Sequence, residues 1–301
     1  MIEYPPLPAG GKPIWNGHAF EIDGRFEKVL VYSSNTDGWN DELTELHEIE
    51  AGDGNHPIDI HSRKNALKKI HNNITNEKPS ILEIGCSSGY LLKDLKEEFP
   101  YANIVGSDII TKPLFKLGDT LSGIPLLQMD LLQCPLPDSQ FDVIIALNVL
   151  EHIEDDITAL ENMEKLLKPE GVLIIEVPQG KNLYDYYDTH LKHFRRYEKY
   201  ELLQKISSVN LKICHYLTLG FLVYVPFMII KKLNRLLYGI NGQKCDDLAM
   251  LVGKNIKQTS NILLKTVFNI ENKLNNISKY FKGIRLVVVC KKTTINEYIT
   301  N

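Results

Sequence analysis

Residues 81–90 read ILEIGCSSGY, and the order of residue types in this stretch decides the fold. Ile81, Leu82 and Ile84 form the short apolar run of a buried strand, interrupted by one carboxylate, Glu83. Gly85 to Gly89 are all small, and Leu91, Leu92, Leu95 and Phe99 then recur at helical spacing. Strand, small-residue turn and helix make the first unit of an open α/β sheet, where ligands bind beyond the carboxyl ends of strands. A Walker phosphate loop would need Gly-Lys-Ser/Thr where this chain has Gly89-Tyr90-Leu91. A dinucleotide fingerprint would need a second glycine at Ser87 and a third beyond it, and Glu83 would repel a pyrophosphate. The same carboxylate suits a ligand that carries positive charge.

Outward from this stretch, apolar runs at 104–105, 124–129, 143–147 and 172–177 alternate with helical patterns, the signature of a parallel sheet with crossover helices. The expected fold is a doubly wound, mostly parallel Rossmann-like sheet of seven strands with helices on both faces. Residues 197–207 read as a helix, 211–219 as a strand and 284–290 (IRLVVVC in full to Cys290) as the last strand. Before the sheet, residues 19–32 suggest a β-hairpin turning at Asp23-Gly24, a polar stretch follows at 35–55, and Pro57 opens a helix. The spacing gives an N-terminal extension over 1–56, a nucleotide-binding domain over 57–219 and 283–295, and an insertion over 220–282.

The motifs resemble those of class I S-adenosylmethionine-dependent methyltransferases. ILEIGCSSGYLLKDL is similar to their first motif, with Glu83, Gly85, Ser87 and Gly89 on E-x-G-x-G-x-G and Ser87 departing from it. Asp108 ends the second strand, where the resemblance implies an acceptor for both ribose hydroxyls. Met129-Asp130-Leu131 matches the adenine contact, and FDVIIALNVLEHIEDD and LLKPEGVLIIEVPQ resemble the fourth- and fifth-strand motifs. The implied cofactor is S-adenosylmethionine, with S-adenosylhomocysteine as product, and Cys86, Ile109, Leu131 and Asn148 complete the implied cofactor set. Taken singly, Gly85 and Gly89 also fit a tight turn, Asp108 a helix cap and Asp130 the start of a loop.

The chemistry expected at such a site is in-line attack on a sulfonium methyl, helped by a base when the acceptor is a hydroxyl. Glu151 and His152, just after the fourth strand, stand at the edge of the methyl-donor pocket, as in small-molecule O-methyltransferases. His152 is the expected base and His193 the alternative, and a role for Glu151 and His152 in opening a helix stays open beside it. In YYDTHLKHFRRYEKYELL, His190, Arg195, Arg196 and Tyr197 join Glu151 as acceptor-site candidates, against a reading as helix cap and solvated basic face. A metal held by Glu151, His152, His190 and His193 suits carboxylate and imidazole chemistry, but spacing fixes no geometry, so no metal is expected.

The whole 301-residue chain carries 34 basic and 38 acidic residues, a net −4, which excludes a polycation built for nucleic acid. Residues 231–285 depart from that average, with eleven Lys or Arg against three acids, +8, leaving −12 elsewhere. There Ile256, Leu263, Ile270 and Ile277 repeat every seven residues, joined by Val267, Leu274 and Phe281, in one apolar helical stripe. With its charge, this insertion resembles an element lying on an anionic membrane or gripping a lipid-linked acceptor, and a lid or homodimer helix would bury the same stripe. Five scattered cysteines without a CxxC pair and no targeting segment point to the cytoplasm. The N/D-P-P-Y/F motif of nucleic-acid amino methylation is replaced by Asn148-Val149-Leu150. The expected acceptor is a small molecule, a glycan or a lipid-linked compound.

Overall fold

A computed structural model describes residues 2–33, 54–238 and 263–293, without the side chains of 237 and 238. Three short strands, β1 (Ile14–Trp15), β2 (Phe20–Ile22) and β3 (Arg25–Glu27), form a small antiparallel sheet. Asp23 and Gly24 both take left-handed backbone between β2 and β3, the geometry of a two-residue hairpin turn whose twist matches its strands. The hairpin ends there, earlier than the pattern over 19–32 suggests. Val29 and Leu30 are buried, and β4 (Val29–Val31) leaves to pair in parallel with β7 (Leu126–Gln128), covering what would be an open sheet edge.

The main sheet adds β5 (Ser80–Ile84), β6 (Asn103–Asp108), β8 (Phe141–Leu147), β9 (Leu167–Pro178), β10 (Leu211–Leu219) and β11 (Arg285–Lys292). Its order is β10-β11-β9-β8-β5-β6-β7-β4: the seven expected strands plus β4. Only β11 runs antiparallel to its neighbours. Sequence order runs outward in opposite directions from β5 and β8, so the switch point lies between them, at the end of ILEIG.

Period-two alternation divides the core between the two faces. Leu82, Ile144 and Leu173 point to one side with Leu160 and Met163 of α4 (Asp156–Leu166) and Leu202 of α6 (Lys199–Ser208). Ile81, Val143 and Ile174 point to the other, with Ile70 of α1 (Pro57–Asn73), Leu92 and Leu95 of α2 (Tyr90–Glu98) and Leu117 of α3 (Thr111–Thr120). Leu92 and Leu95 are fully buried, and each such side chain contributes about 2 kcal/mol of transfer free energy. α5 (Tyr186–His190) starts with a reciprocal capping box of Asp185 and Asp188.

Between β10 and β11 the chain forms α7 (Tyr224–Tyr238), α8 (described over residues 263–273) and α9 (Asn275–Ser278). Ile256, the first position of the seven-residue stripe, lies outside the described residues, as do 35–53 of the polar stretch over 35–55. Among the described residues, no helix is long and apolar enough to cross a membrane.

Candidate cofactor and acceptor site

The turn after β5 is shaped by three left-handed residues, Gly85, Ser87 and Gly89. A Cβ on Gly85 would stand 2.5 Å from Val149 Cγ2 and one on Gly89 2.6 Å from Leu117, so both positions need glycine for space as well as for φ. Ser87 takes φ 43°, which costs a side-chain-bearing residue about 1–2 kcal/mol. Its N–H donates to Asp108 Oδ2 at 2.8 Å, while Ile110 N–H donates to Oδ1 at 3.0 Å. Asp108 thus ties the motif turn to the start of α3, and burial raises its carboxyl against those bonds.

Glu83 is 6 % exposed, and its Oε2 meets no hydrogen-bond donor among the described residues. Burial, then the charges of Asp108 and Asp94, push its carboxyl well above the usual range. A buried carboxylate with an unmade bond costs roughly 1–3 kcal/mol, relieved by a proton or by a cation arriving from outside. Glu83 faces a pocket of about 130 Å³ lined also by Ser87, Tyr90, Asn148, Arg63 and Arg285. Arg63 leans on Asp94 at 2.6 Å, and Arg285 bridges Asp59 at 2.7 Å and Glu176 at 3.0 Å. An unmet Glu83 beside Asp59 paired to Arg285, with Arg63 in the same lining, suits a zwitterionic amino-acid group.

Cys86 lines the same pocket, and Asn148, at φ 54°, is turned into it with its N–H on Glu176 O at 2.8 Å. Asp130 and Leu131 lie at the end of β7, where Asp130 accepts from Leu132 N–H at 2.8 Å. Ile109, half-buried, accepts through its carbonyl from Gln128 at 2.9 Å. Thus Glu83, Cys86, Ser87 and Asn148 share one pocket, while Asp108, Ile109, Asp130 and Leu131 sit along the adjoining strand ends.

On the acceptor side, a 3-10 turn (Leu150–His152) carries Glu151 and His152, and Phe194 N–H donates to Glu151 O at 2.8 Å. That bond brings His193 against the turn, with the His152 and His193 rings 4.6 Å apart at 72°. Both Glu151 carboxylate oxygens are buried without a hydrogen-bond donor among the described residues, and burial raises that carboxyl to about 8. His193 Nδ1 sits 2.9 Å from Asp188 Oδ1, which Arg196 also reaches at 2.8 Å. Lys231 of α7 closes the group, 3.2 Å from Asp188 and 2.6 Å from Asp185. Burial would raise the Asp188 carboxyl, but His193, Arg196 and Lys231 outweigh it and hold it well below the ordinary range. Burial, helped by Arg196 and Lys231, lowers His193 against the pull of Asp188.

Of the other acceptor candidates, Arg196 stands behind this group, and His190, Arg195 and Tyr197 lie elsewhere. His190 is exposed at the end of α5. Arg195 and Tyr197 both bind Asp156 at 2.8 Å, where Lys205 joins them, and Tyr197 is fully buried. Arg196 supports Asp188 and Gln179 O. Arg195, Arg196 and Tyr197 are therefore anchors of the 191–197 segment. Asp185, Asp188, Lys231, Arg63 and Arg285 escaped sequence reasoning. Only the Asp-x-x-Asp spacing of the capping box was a local signal for any of them.

Residues 82–175 match the family model described as "Methyltransferase domain". An uncharacterised methyltransferase of Mycobacterium bovis is 32 % identical over 98 residues, covering 32 % of this chain and 48 % of that one. A malonyl-[acyl-carrier protein] O-methyltransferase of Magnetococcus marinus is 30 % identical over 101 residues, 32 % of this chain and 37 % of that one. The chain thus spans half or less of the length of these relatives. In fold it is similar to a candidate sarcosine dimethylglycine methyltransferase of Galdieria sulphuraria, with TM-score 0.57, 12 % identity and coverage of 84 % of this chain and 99 % of that one. Ordered motifs on successive strand ends, a switch-point pocket walled by an unmet carboxylate and the matching family model all agree: residues 82–175 form a methyltransferase domain of the class I S-adenosylmethionine-dependent type, with S-adenosylmethionine as its cofactor.

Proposed function

We propose that the chain transfers the methyl group of S-adenosylmethionine to a hydroxyl of a small-molecule, glycan or lipid-linked acceptor. The His193–Asp188 pair at 2.9 Å carries this reading. A hydroxyl is a weak nucleophile until its proton leaves, and an imidazole whose Nδ1 is fixed by a carboxylate keeps Nε2 as the proton acceptor. Its lowered pKa keeps His193 neutral, the form that can take a proton, at neutral pH. When bound, the cofactor supplies a methyl on a positively charged sulfur. Glu83 would hold its ammonium, Arg63 and Arg285 its carboxylate, and Asp108 and Asp130 its ribose and adenine. His152 is the second imidazole beside the acceptor.

The O-methyltransferase name of the Magnetococcus relative supports an oxygen acceptor. α7 supports a lipid-linked one, because its polarity is inverted. Lys231 is buried and Arg235 donates to Asn182 O and Tyr184 O, while Val225, Ile229, Leu233 and Leu236 face solvent. Labelled methyl donor incubated with the protein and with lipid, glycan and metabolite fractions tests the reading. Label is expected on an acceptor oxygen, whereas label confined to amines, or none in any fraction, contradicts it. His193→Ala is expected to slow turnover by about 10²-fold or more while S-adenosylmethionine affinity holds. Unchanged turnover would remove His193 as the base.

A further inference from the structure

Glu151, His152 and His193 each bring one ligand atom within 4.8 Å of the others, three of the four residues whose chemistry suits a metal, without His190. Glu151 is 1 % exposed, and both of its oxygens lack a hydrogen-bond donor among the described residues, so a buried carboxyl stands in the cluster with its bonding capacity unmet. The Asp188 contact engages His193 Nδ1 and so leaves Nε2 as the nitrogen for a ligand bond. Asp188 is itself clamped by Arg196 and Lys231. A carboxylate behind an imidazole, fixing its tautomer and raising its basicity, is the supporting arrangement that metal-ligating histidines use.

We propose that Glu151, His152 and His193 form a site for one divalent transition-metal ion, a two-imidazole, one-carboxylate set that leaves positions open for an acceptor oxygen. This donor set suits zinc, iron, manganese or cobalt rather than calcium or magnesium, which prefer oxygen ligands. Three atoms within 4.8 Å of one another enclose a point no more than about 2.8 Å from each, so closing to the roughly 2.0–2.2 Å of a bound zinc takes less than an ångström of side-chain movement. Binding of the ion stands apart from methyl transfer. Its bearing on the acceptor hydroxyl rests on the reading above: the His193 lone pair takes the hydroxyl's proton in the metal-free protein, whereas with that lone pair on the ion the proton would pass to solvent water from a hydroxyl made more acidic by the metal.

The test uses the full chain, stripped with EDTA and titrated calorimetrically with ZnCl₂ and MnCl₂, followed by elemental analysis after dialysis. One ion per chain is expected, with affinity falling at least 100-fold in Glu151→Gln and about 10- to 100-fold in Asp188→Asn, while His190→Ala leaves it unchanged. S-adenosylmethionine affinity monitors folding of each variant. Because substitution at buried Glu151 could disturb the turn, the second readout is the visible spectrum of Co²⁺ added to the unmodified protein, expected to show bands of a nitrogen- and oxygen-ligated ion. Absence of one-to-one binding, equal binding in Glu151→Gln and His193→Ala, or a spectrum of hydrated cobalt alone would overturn the proposal. Metal binding without methyl transfer would sink the functional reading and leave this one standing.

Discussion

Gly85 and Glu83 show how much of this site a single residue decides. At Gly85 a side chain would be both strained, at φ 73°, and 2.5 Å from Val149 Cγ2. Gly85→Ala is therefore expected to lower stability by about 2 kcal/mol or more, read by urea denaturation, and to weaken cofactor binding. Stability within 0.5 kcal/mol of the parent would mean that the turn can rearrange. The requirement was legible in the sequence because it is local: a strand end, a tight turn and a helix start impose it within ten residues. Ser87 was legible as a departure, and its left-handed backbone shows that serine takes the conformation the motif's glycine would supply. Asp188 was not legible. Its role comes from Lys231, 43 residues away, and from a bond to a histidine whose position depends on Phe194 meeting Glu151.

At the scale of elements, α7 is joined to the acceptor side by one buried cation shared between two carboxylates. Lys231→Met removes the charge and leaves Asp185 and Asp188 facing each other, which is expected to cost about 3–5 kcal/mol in denaturant unfolding. A loss below 1 kcal/mol would mean that Lys231 is peripheral to the network. The same network sets an acid limit. The Asp188 carboxyl is depressed in the folded chain, so its contribution is fully present above the ordinary carboxylate value near 4 and is lost as pH falls through the folded value. Asp188→Asn is expected to flatten the fall in stability below about pH 4, and an unchanged profile would place the acid sensitivity elsewhere. The strands of the sheet could be read from period and apolar runs. The pairing of β4 could not, because the local pattern assigns 29–31 to the hairpin, whereas they join the open edge of β7, 97 positions later in the chain.

For the molecule as a whole, the outward apolar side of α7 runs into a stretch, 231–285, whose sequence carries a +8 balance. Ile229→Asp with Leu233→Asp is expected to reduce binding to anionic vesicles at least tenfold in flotation assays, since each buried leucine-sized side chain is worth about 1.5–3 kcal/mol. Equal recovery with neutral and anionic vesicles, or no binding by the parent, would count against a lipid surface. The account rests most heavily on the pocket at the end of β5, where Glu83 is buried, unmet and reluctant to ionise until a positively charged ligand arrives. Calorimetric titration with S-adenosylmethionine, in two buffers of different ionisation enthalpy, tests it directly. One-to-one binding is expected, with release of a proton as pH is lowered into the range where Glu83 holds one, and both that release and most of the affinity are lost in Glu83→Gln. No saturable binding, or binding as tight in Glu83→Gln with no proton released in either protein, would contradict it.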